Sequence, residues 1–577
     1  MDKKFYITTP IYYINDVPHI GHTCTTVAAD ILARLHRQLG DEVFFLTGTD
    51  EHGQKAAEAA AKEGLTPQEY CDKIAPRFED AWKKLNISND FFIRTTDKRH
   101  EEVVKEFLLR IKDSGDVYKD KYEGWYCIGC EAFKTETDLV DGHCPLHPPE
   151  KTVWKSEENW FFKLSKYVPK IIELIENDET NYIFPEGKRR EVLAKLKAGV
   201  RDVSISRENV EWGIPLPWEP SHTIYVWIDA LINYYSATRF LADKNEFWPA
   251  NLHLLAKEIL WFHTVIWQAM LLSAGLALPK KTFIHSFYIV DGKKMSKSLG
   301  NVISPKQLED LYGVDGTRYL IAKSFPTEND SDVGLARFTE KYNADLANNF
   351  GNLISRVTKL GEGIEVKSQT VQFDEEYLKL VHELRFDEAL GLVFNKWIDS
   401  SNAKINEVAP WKLDKEDNTR KDLLELCITN IQKAAFHLKP FIPESVDKIE
   451  KAFESNVKPT EGYLFPRIVE VKQQQKTTNP ISEEKLVIGE VVKLDKHPNA
   501  DGLQVAEINV GKDSLVTIVT SAQNIKIGDI VPVVLPGGRV NSTDGKIVKI
   551  EKGKLRGVVS FGMMASELEL GLGPDHH

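Results

Sequence analysis

Near the start of the chain, Pro18-His19-Ile20-Gly21-His22 sets two imidazoles three positions apart around a glycine. At helical spacing both rings fall on one face. Imidazole N–H groups and the free amides of a helix N-terminus donate to phosphate oxygens, and Gly21 lacks the Cβ that would hold a ligand away. Far downstream, Asp291-Gly292-Lys293-Lys294-Met295-Ser296-Lys297-Ser298-Leu299-Gly300 places lysines and hydroxyls in a glycine-bounded loop. Such a loop suits the transient charge of a departing pyrophosphate. Taken singly, the histidines also fit a helix cap and the loop a solvated turn. A third group is more specific: Cys127-x2-Cys130 and, after thirteen residues, Cys144-x2-His147 give three thiolates and an imidazole at knuckle spacing. That set predicts tetrahedral zinc with every position taken by protein, hence a structural metal rather than a catalytic one. His143 and Glu131 are adjacent spares, ranked below these four.

These residues need a scaffold. Phe5 to Ile14 reads as a buried strand and Glu42 to Gly48 as a second. Between them His22 to Leu39 reads as a helix, with Val27, Ile31, Leu32 and Leu35 at helical spacing and Gly40 as its stop. A βαβ opening predicts a parallel sheet and puts His19 and His22 where a strand passes into a helix. From Val117 to His222 the pattern turns irregular, which reads as an insertion. Strand and helix patterns return at Thr223, with a further strand expected over Phe283 to Val290. Helical periodicity fills Phe338 to Phe453, a polar stretch without aromatics follows, and short Val/Ile/Gly-rich runs from Val487 to Phe561 predict a small β-barrel. The expected organisation is multidomain α/β. A Rossmann-like catalytic domain spans 1–116 and 223–337 around a zinc-bearing insertion at 117–222; a helical domain covers 338–468, a linker 469–485 and a β-barrel 486–577.

At about 150 residues per domain, 577 residues are ample for several cores. With 42% hydrophobic and 28% charged residues the composition excludes collagen-like, disulfide-scaffold and low-complexity chains. Lys plus Arg number 74 against 86 Asp plus Glu, a net charge of -12, so nucleic acid cannot be held by overall charge and must meet a local basic surface. No membrane span is expected: the most apolar late stretch, Leu254 to Leu278, is broken by Lys257, Glu258 and His263. Six cysteines, three of them clustered, point to a reducing, cytoplasmic setting.

The order His19-Ile20-Gly21-His22 after the first strand, then Lys294-Met295-Ser296-Lys297-Ser298 after a late one, resembles the paired signature of class I aminoacyl-tRNA synthetases. Pro10 to His22, Thr47 to Gly53, Tyr225 to Tyr234 and Lys257 to His263 are similar to the methionyl-tRNA synthetases, and the likeness runs over nearly the whole chain. It implies methionine activation with ATP and Mg2+, with His19, His22, Lys294 and Lys297 catalytic and Gly21, Met295, Ser296 and Ser298 also on ATP. It also implies that Asp50 holds the substrate ammonium, while Ile11, Tyr13, Trp227, Ala230, Leu231, Tyr234, Ile259 and His263 line the methionine pocket. The spacing agrees: Trp227, Ala230, Leu231 and Tyr234 share one helix face, and aromatic rings serve a thioether well. Asn352, Arg356 and Trp411 match the positions that read the anticodon, and Cys127, Cys130, Cys144 and His147 match the family's zinc knuckle.

HPNADGLQVAEINVG, VPVVLPGG and LRGVVSFGMMASELEL resemble the tRNA-binding OB-fold appended to many members. Arg539 to Arg556 carries six basic residues against two acidic, enough for a few phosphate contacts. The resemblance also implies a homodimer through this appendage, and tRNA(Met), ATP and L-methionine as partners. Two other readings remain at this level. A non-catalytic tRNA-binding relative predicts damage in one of the two signatures, and both are intact; a sister enzyme for another aliphatic amino acid predicts a large hydrolytic editing insertion, whereas the insertion here is largely taken by the zinc knuckle.

Overall fold

The computed structural model describes residues 4–14, 17–128, 132–134, 139–145, 149, 152–177, 183–208, 210–290, 292–295, 301–460, 462–469, 485–511, 515–542 and 547–570. Two compact units emerge, one of Met1–Ser296 with Asn301–Val469 and a smaller one that holds Glu470–His577.

The large unit opens as the sequence predicts, with β1 (Lys4–Tyr13), α1 (Ile20–Gln38) and β2 (Glu42–Asp50). Then follow β3 (Phe91–Arg94), α2 (Lys98–Asp113), β4 (Val117–Cys127), β5 (Thr152–Phe162) and β6 (Ile183–Phe184). Beyond them lie α3 (Val226–Phe240), β7 (Leu252–Ala256), β8 (Thr282–His285), β9 (Tyr288–Val290), α4 (Pro305–Lys323) and α5 (Asn352–Leu360). Six strands form one parallel sheet in the order β3-β2-β1-β7-β8-β6. Such a sheet is covered on both faces, which is why Tyr6, Ile7, Phe44, Phe45 and Leu46 read as continuous apolar runs and are fully buried. α1 packs one face of it through Val27, Ile31, Leu32 and Leu35, all at most 1% exposed.

Within 117–222, β4 pairs with β5 over eleven residues, from Val117↔Phe162 to Cys127↔Thr152, in a four-stranded antiparallel sheet. Ile183–Phe184, from within the same stretch, adds an edge strand to the parallel sheet beside β8. The single strand expected over Phe283 to Val290 is corrected to two strands in different sheets. The Ser286 N–H donates to Pro326 O (2.8 Å) and the Phe287 N–H to Asp330 Oδ1 (2.9 Å), which turns the chain out of the parallel sheet. β9 pairs instead with Lys293–Lys294 and Ser331–Asp332.

Helices dominate from Leu335 to Ala452. Arg318 on α4 ties them to α1: fully buried, it pairs with Asp30 of α1 at 2.6 Å and donates to Pro440 O and Phe441 O at 2.9 and 3.0 Å. Burial works against both charges, and their mutual pairing with these carbonyl acceptors offsets it.

In the small unit, β10 (Leu486–Lys496), β11 (Gln504–Asn509), β12 (Leu515–Thr520), β13 (Ile530–Val534) and β14 (Met563–Met564) form an antiparallel sheet in the order β12-β11-β10-β13-β14. The sheet curls toward closure. The Phe561 N–H donates to Thr517 O at 2.9 Å on one edge strand, while β14 pairs with β13 toward the other. Val491, Ala506, Ile508, Ile518 and Val533 fill the interior. Among the described residues no helix is long and apolar enough to cross a membrane.

Candidate active site

Around β1 the strand order turns: α1 carries the chain to β2 on one side, and β7, from much later in the sequence, lies on the other. Parallel sheets open a crevice at the carboxyl ends of such strands. A cleft of about 1640 Å³ lies there, and the ends of β1, β2, β7 and β8 all contribute to its wall.

His19 is the N-cap of α1, in extended backbone (φ -131°). Its Nδ1 accepts from the Gly21 N–H at 3.1 Å, and its own N–H donates to His22 Nδ1 at 3.3 Å. Both Nδ1 atoms are therefore acceptors, which leaves the proton of each neutral ring on Nε2. The rings stack 3.9 Å apart and line the cleft. Enclosure in the cleft wall, and then the neighbouring His19, pull His22 well below the ordinary imidazole range, so it acts as a neutral N–H donor. A Cβ on Gly21 would lie 2.9 Å from His19 Cε1, so a side chain there would push the His19 ring aside. The first amide of the helix is held by Ile303, whose carbonyl accepts from the Ile20 N–H at 2.9 Å.

All nine residues expected at the methionine pocket, Ile11, Tyr13, Asp50, Trp227, Ala230, Leu231, Tyr234, Ile259 and His263, line this same cleft. Asp50 ends β2 and is 6% exposed. α3 presents Trp227, Ala230, Leu231 and Tyr234 on one face, and the Trp227 ring stacks on Phe262 at 4.1 Å. His263 Nδ1 lies 3.0 Å from Ile259 O and His263 Nε2 lies 2.7 Å from Tyr234 Oη. The carbonyl can only accept, so Nδ1 carries the proton and the tyrosine hydroxyl donates to Nε2. Burial lowers the His263 pKa to about 4, against the opposing pull of the Ile259 carbonyl. At neutral pH the pocket wall is thus uncharged at this position.

From the later loop, Lys294 and Met295 also line the cleft, whereas Ser296, Lys297 and Ser298 lie outside the described residues. Phe287 is flanked by two ammonium groups, Lys257 Nζ at 4.5 Å and Lys294 Nζ at 5.2 Å from its centroid, and Lys257 is fixed by Asp330 at 2.5 Å. Of the cleft residues that the sequence did not single out, three bear on its chemistry. Arg207 is 6% exposed, sits 3.8 Å over the Tyr225 ring and donates to Ser204 Oγ and Ser206 O at 2.9 and 2.8 Å. It belongs to the irregular stretch 117–222, where no periodicity marks it. His285, with Nε2 2.8 Å from Thr25 Oγ1 and its pKa pushed down to about 4 by burial, ends β8. Phe262 is the third.

Of the metal set, Cys127 and Cys144 are buried and unbridged by a disulfide, while Cys130 and His147 lie outside the described residues. Thr152 joins the two: it is the cross-strand partner of Cys127, and its hydroxyl accepts from the Cys144 N–H at 3.0 Å. Among the described residues no three candidate ligands stand together. In the helical part, the Arg356 guanidinium lies 5.2 Å over the Trp411 ring and donates to Asn406 Oδ1 at 2.9 Å. Trp411 is 51% exposed, and Asn352, one helical turn before Arg356, is exposed as well. In the small unit Lys552 Nζ sits 4.4 Å over the exposed Phe561 ring.

Residues 5–152 and 148–358 match the family described as tRNA synthetases class I (M), and residues 486–576 match a putative tRNA binding domain. A methionine–tRNA ligase of Thermotoga maritima is 36% identical, the match covering 97% of this chain and 96% of that protein. One from Synechocystis sp. is 43% identical over 77% of this chain and 88% of its own length. Among solved structures, the Mycobacterium tuberculosis methionyl-tRNA synthetase in complex with methionyl-adenylate superposes with a TM-score of 0.74 at 32% identity, covering 81% of this chain and 100% of that one.

Proposed function

The chain belongs to the methionyl-tRNA synthetases of class I, and from that membership we propose how its residues divide the work. The reaction is methionine–tRNA ligation: methionine and ATP give methionyl-adenylate and pyrophosphate, and methionine then passes to the terminal adenosine of tRNA(Met). In the first step the methionine carboxylate attacks the α-phosphorus and pyrophosphate leaves. Such chemistry needs positioning and charge neutralisation more than a side-chain nucleophile.

The observation that carries the division is that the paired histidines and all nine pocket residues converge on one cleft at the turn of the strand order. His19 and His22, each with an Nε2–H, donate to ATP phosphate oxygens over Gly21. Lys294 and Lys297, with Met295, Ser296 and Ser298, take up the charge of the leaving pyrophosphate, and Lys294 rests over the Phe287 ring. Mg2+ accompanies ATP and neutralises its phosphates. Asp50 pairs with the substrate ammonium. Tyr13, Trp227, Tyr234 and His263, with Ile11, Ala230, Leu231 and Ile259, enclose the thioether.

Arg356 and Trp411 form an exposed guanidinium-on-indole platform, and with Asn352 they read the anticodon by stacking and base-edge hydrogen bonds. Cys127, Cys130, Cys144 and His147 would hold one structural zinc; the meeting of Cys127 and Cys144 at Thr152 supports the fit, and the metal would supply a cross-link between β4 and the chain around Cys144. The small unit adds phosphate contacts through Arg539 to Arg556 and pairs two chains into a homodimer, with 117–222 as the insertion and 338–468 as the anticodon domain. The protein works in the cytoplasm. Incubated with ATP and methionine, it should form methionyl-adenylate and pyrophosphate in equal amounts, and adding tRNA(Met) should convert the adenylate to methionyl-tRNA. Pyrophosphate release without a trapped adenylate would refute this assignment.

A further inference from the structure

One buried cluster lies beside the cleft without lining it. His52 follows Asp50 by two residues, and its Nδ1 donates to Asp229 Oδ2 at 2.7 Å. The other oxygen of Asp229 accepts from His100 Nε2 of α2, also at 2.7 Å, and His100 Nδ1 lies 2.7 Å from Ser236 Oγ. His52, Asp229, His100 and Ser236 are 4, 1, 0 and 0% exposed. Burial by itself would raise the Asp229 carboxyl, but the electrostatic pull of His52 and the hydrogen bonds from His100 and His52 outweigh it, and the group stays below the ordinary carboxylate range. A buried anion kept in this way is costly unless each oxygen is paired, and here each is.

The placement joins two parts of the amino-acid site. Asp229 lies on α3 between Trp227 and Ala230, yet its carboxylate meets His52 and His100 away from the cleft, and Ser236 follows two turns on. His100 thus grips α3 at two levels. On the other side, His52 belongs to the strand end that carries Asp50. The same segment is covered by Trp212, whose Nε1–H donates to Glu51 O at 2.6 Å and whose carbonyl accepts from the Gly53 N–H at 3.0 Å. Gly53 has a φ of 98°, so a left-handed glycine completes the bend.

We propose that the His52–Asp229–His100 relay is a positioning element for amino-acid recognition. It locks the strand end bearing Asp50 to the helix bearing Trp227, Ala230, Leu231 and Tyr234, so that the ammonium and side-chain subsites keep one spacing. The assignment rests on the methionine site proposed above. Misplacing reacting or binding groups by about 1 Å costs up to about a hundredfold, and the relay touches only the methionine side. The ATP side, built on His19 and His22, is held by Gly21 and Ile303 instead.

The test uses the full chain in methionine-dependent pyrophosphate exchange, with His52→Ala, His52→Asn and Asp50→Ala. Asp229 Oδ1 retains the His100 bond in both His52 variants; His52→Ala leaves Oδ2 without its partner, and asparagine restores a donor near the place of Nδ1. His52→Ala should raise the methionine KM about tenfold or more while the ATP KM stays within about twofold, and His52→Asn should recover most of the loss. A methionine KM within about twofold of the parent, equal rises for methionine and ATP, or no rescue by asparagine would overturn the proposal. If Asp50→Ala weakens methionine and His52→Ala does not, the relay alone is wrong; if Asp50→Ala has no effect, the site assignment fails and the relay falls with it.

Discussion

Replacing Tyr234 by Phe removes one buried hydroxyl and nothing else from the pocket. Its oxygen donates to His263 Nε2 at 2.7 Å, and the carbonyl of Ile259 fixes the His263 proton on Nδ1, so the hydroxyl satisfies the second ring nitrogen. The ring keeps its contacts with His253, centroids 4.4 Å apart, and Trp267, 6.3 Å, so no cavity opens. Leaving a buried acceptor unsatisfied costs about 1 to 3 kcal/mol. That range corresponds to a roughly five- to 150-fold weaker methionine KM if the wall relaxes into the empty pocket, and to the same energy in unfolding if it does not. The pH dependence separates this bond from generic packing. In the parent, the His263 pKa lies at about 4 in the fold against 6.5 ordinarily. The unfolded chain binds the extra proton between those values, so this contribution is complete above about pH 6.5 and is lost as pH falls toward 4; it amounts to about 3 kcal/mol. Without the hydroxyl, Nε2 accepts a proton more readily, so the variant loses less on acidification. Urea unfolding and methionine KM, measured at pH 5.5 and pH 8, should show a deficit largest at pH 8 and smaller at pH 5.5 in stability. Parent-like stability and KM at both pH values would refute the hydrogen-bond argument.

Trp227→Ala removes the ring stacked on Phe262, and loss of a sulfur–aromatic contact worth about 0.3 to 1.5 kcal/mol should raise the methionine KM at least about two- to twelvefold by isothermal titration or kinetics; an unchanged constant would place the thioether elsewhere. Elemental analysis should find one zinc per chain, and Cys144→Ser should loosen the insert to protease while ATP binding persists; carefully reduced protein without zinc would contradict this. Trp411→Ala should cost about 1 to 3 kcal/mol in charging of tRNA(Met) while pyrophosphate exchange is kept, because a stacked base is lost far from the cleft. Deleting residues 485–577 should instead raise the tRNA concentration needed and flatten its salt dependence with anticodon preference intact, and loss of that preference would reverse the roles of the two parts.

Much of the large unit could be read from the chain because its signals are local. The Phe5 to Ile14 run, the 3.6-residue spacing in α1 and the stop at Gly40 each follow from neighbours a few positions apart, and they put His19 and His22 at a strand-to-helix passage. The face of α3 was legible for the same reason. Other features depend on partners distant in sequence. The break between β8 and β9 follows from Pro326 and Asp330, which capture Ser286 and Phe287 out of a largely apolar run that reads like one strand. Arg207 escaped notice because a buried guanidinium needs Ser204, Ser206 and Tyr225 folded around it before it differs from any surface arginine. His285 reads as an interior position of that one expected strand, and only the break after it and Thr25 of α1 beside it set it apart. Specific roles for the cleft residues came from the resemblance to the synthetases rather than from spacing, which shows only that they share a face.

The most direct test of the central assignment is amino-acid-dependent exchange of labelled pyrophosphate into ATP, run with each of the twenty amino acids in turn. Side-chain walls made of the Trp227 and Tyr234 rings and a neutral His263 suit a thioether and predict strong exchange with methionine and little with leucine, isoleucine or valine. Exchange driven best by one of those three, or none with methionine, would contradict the account.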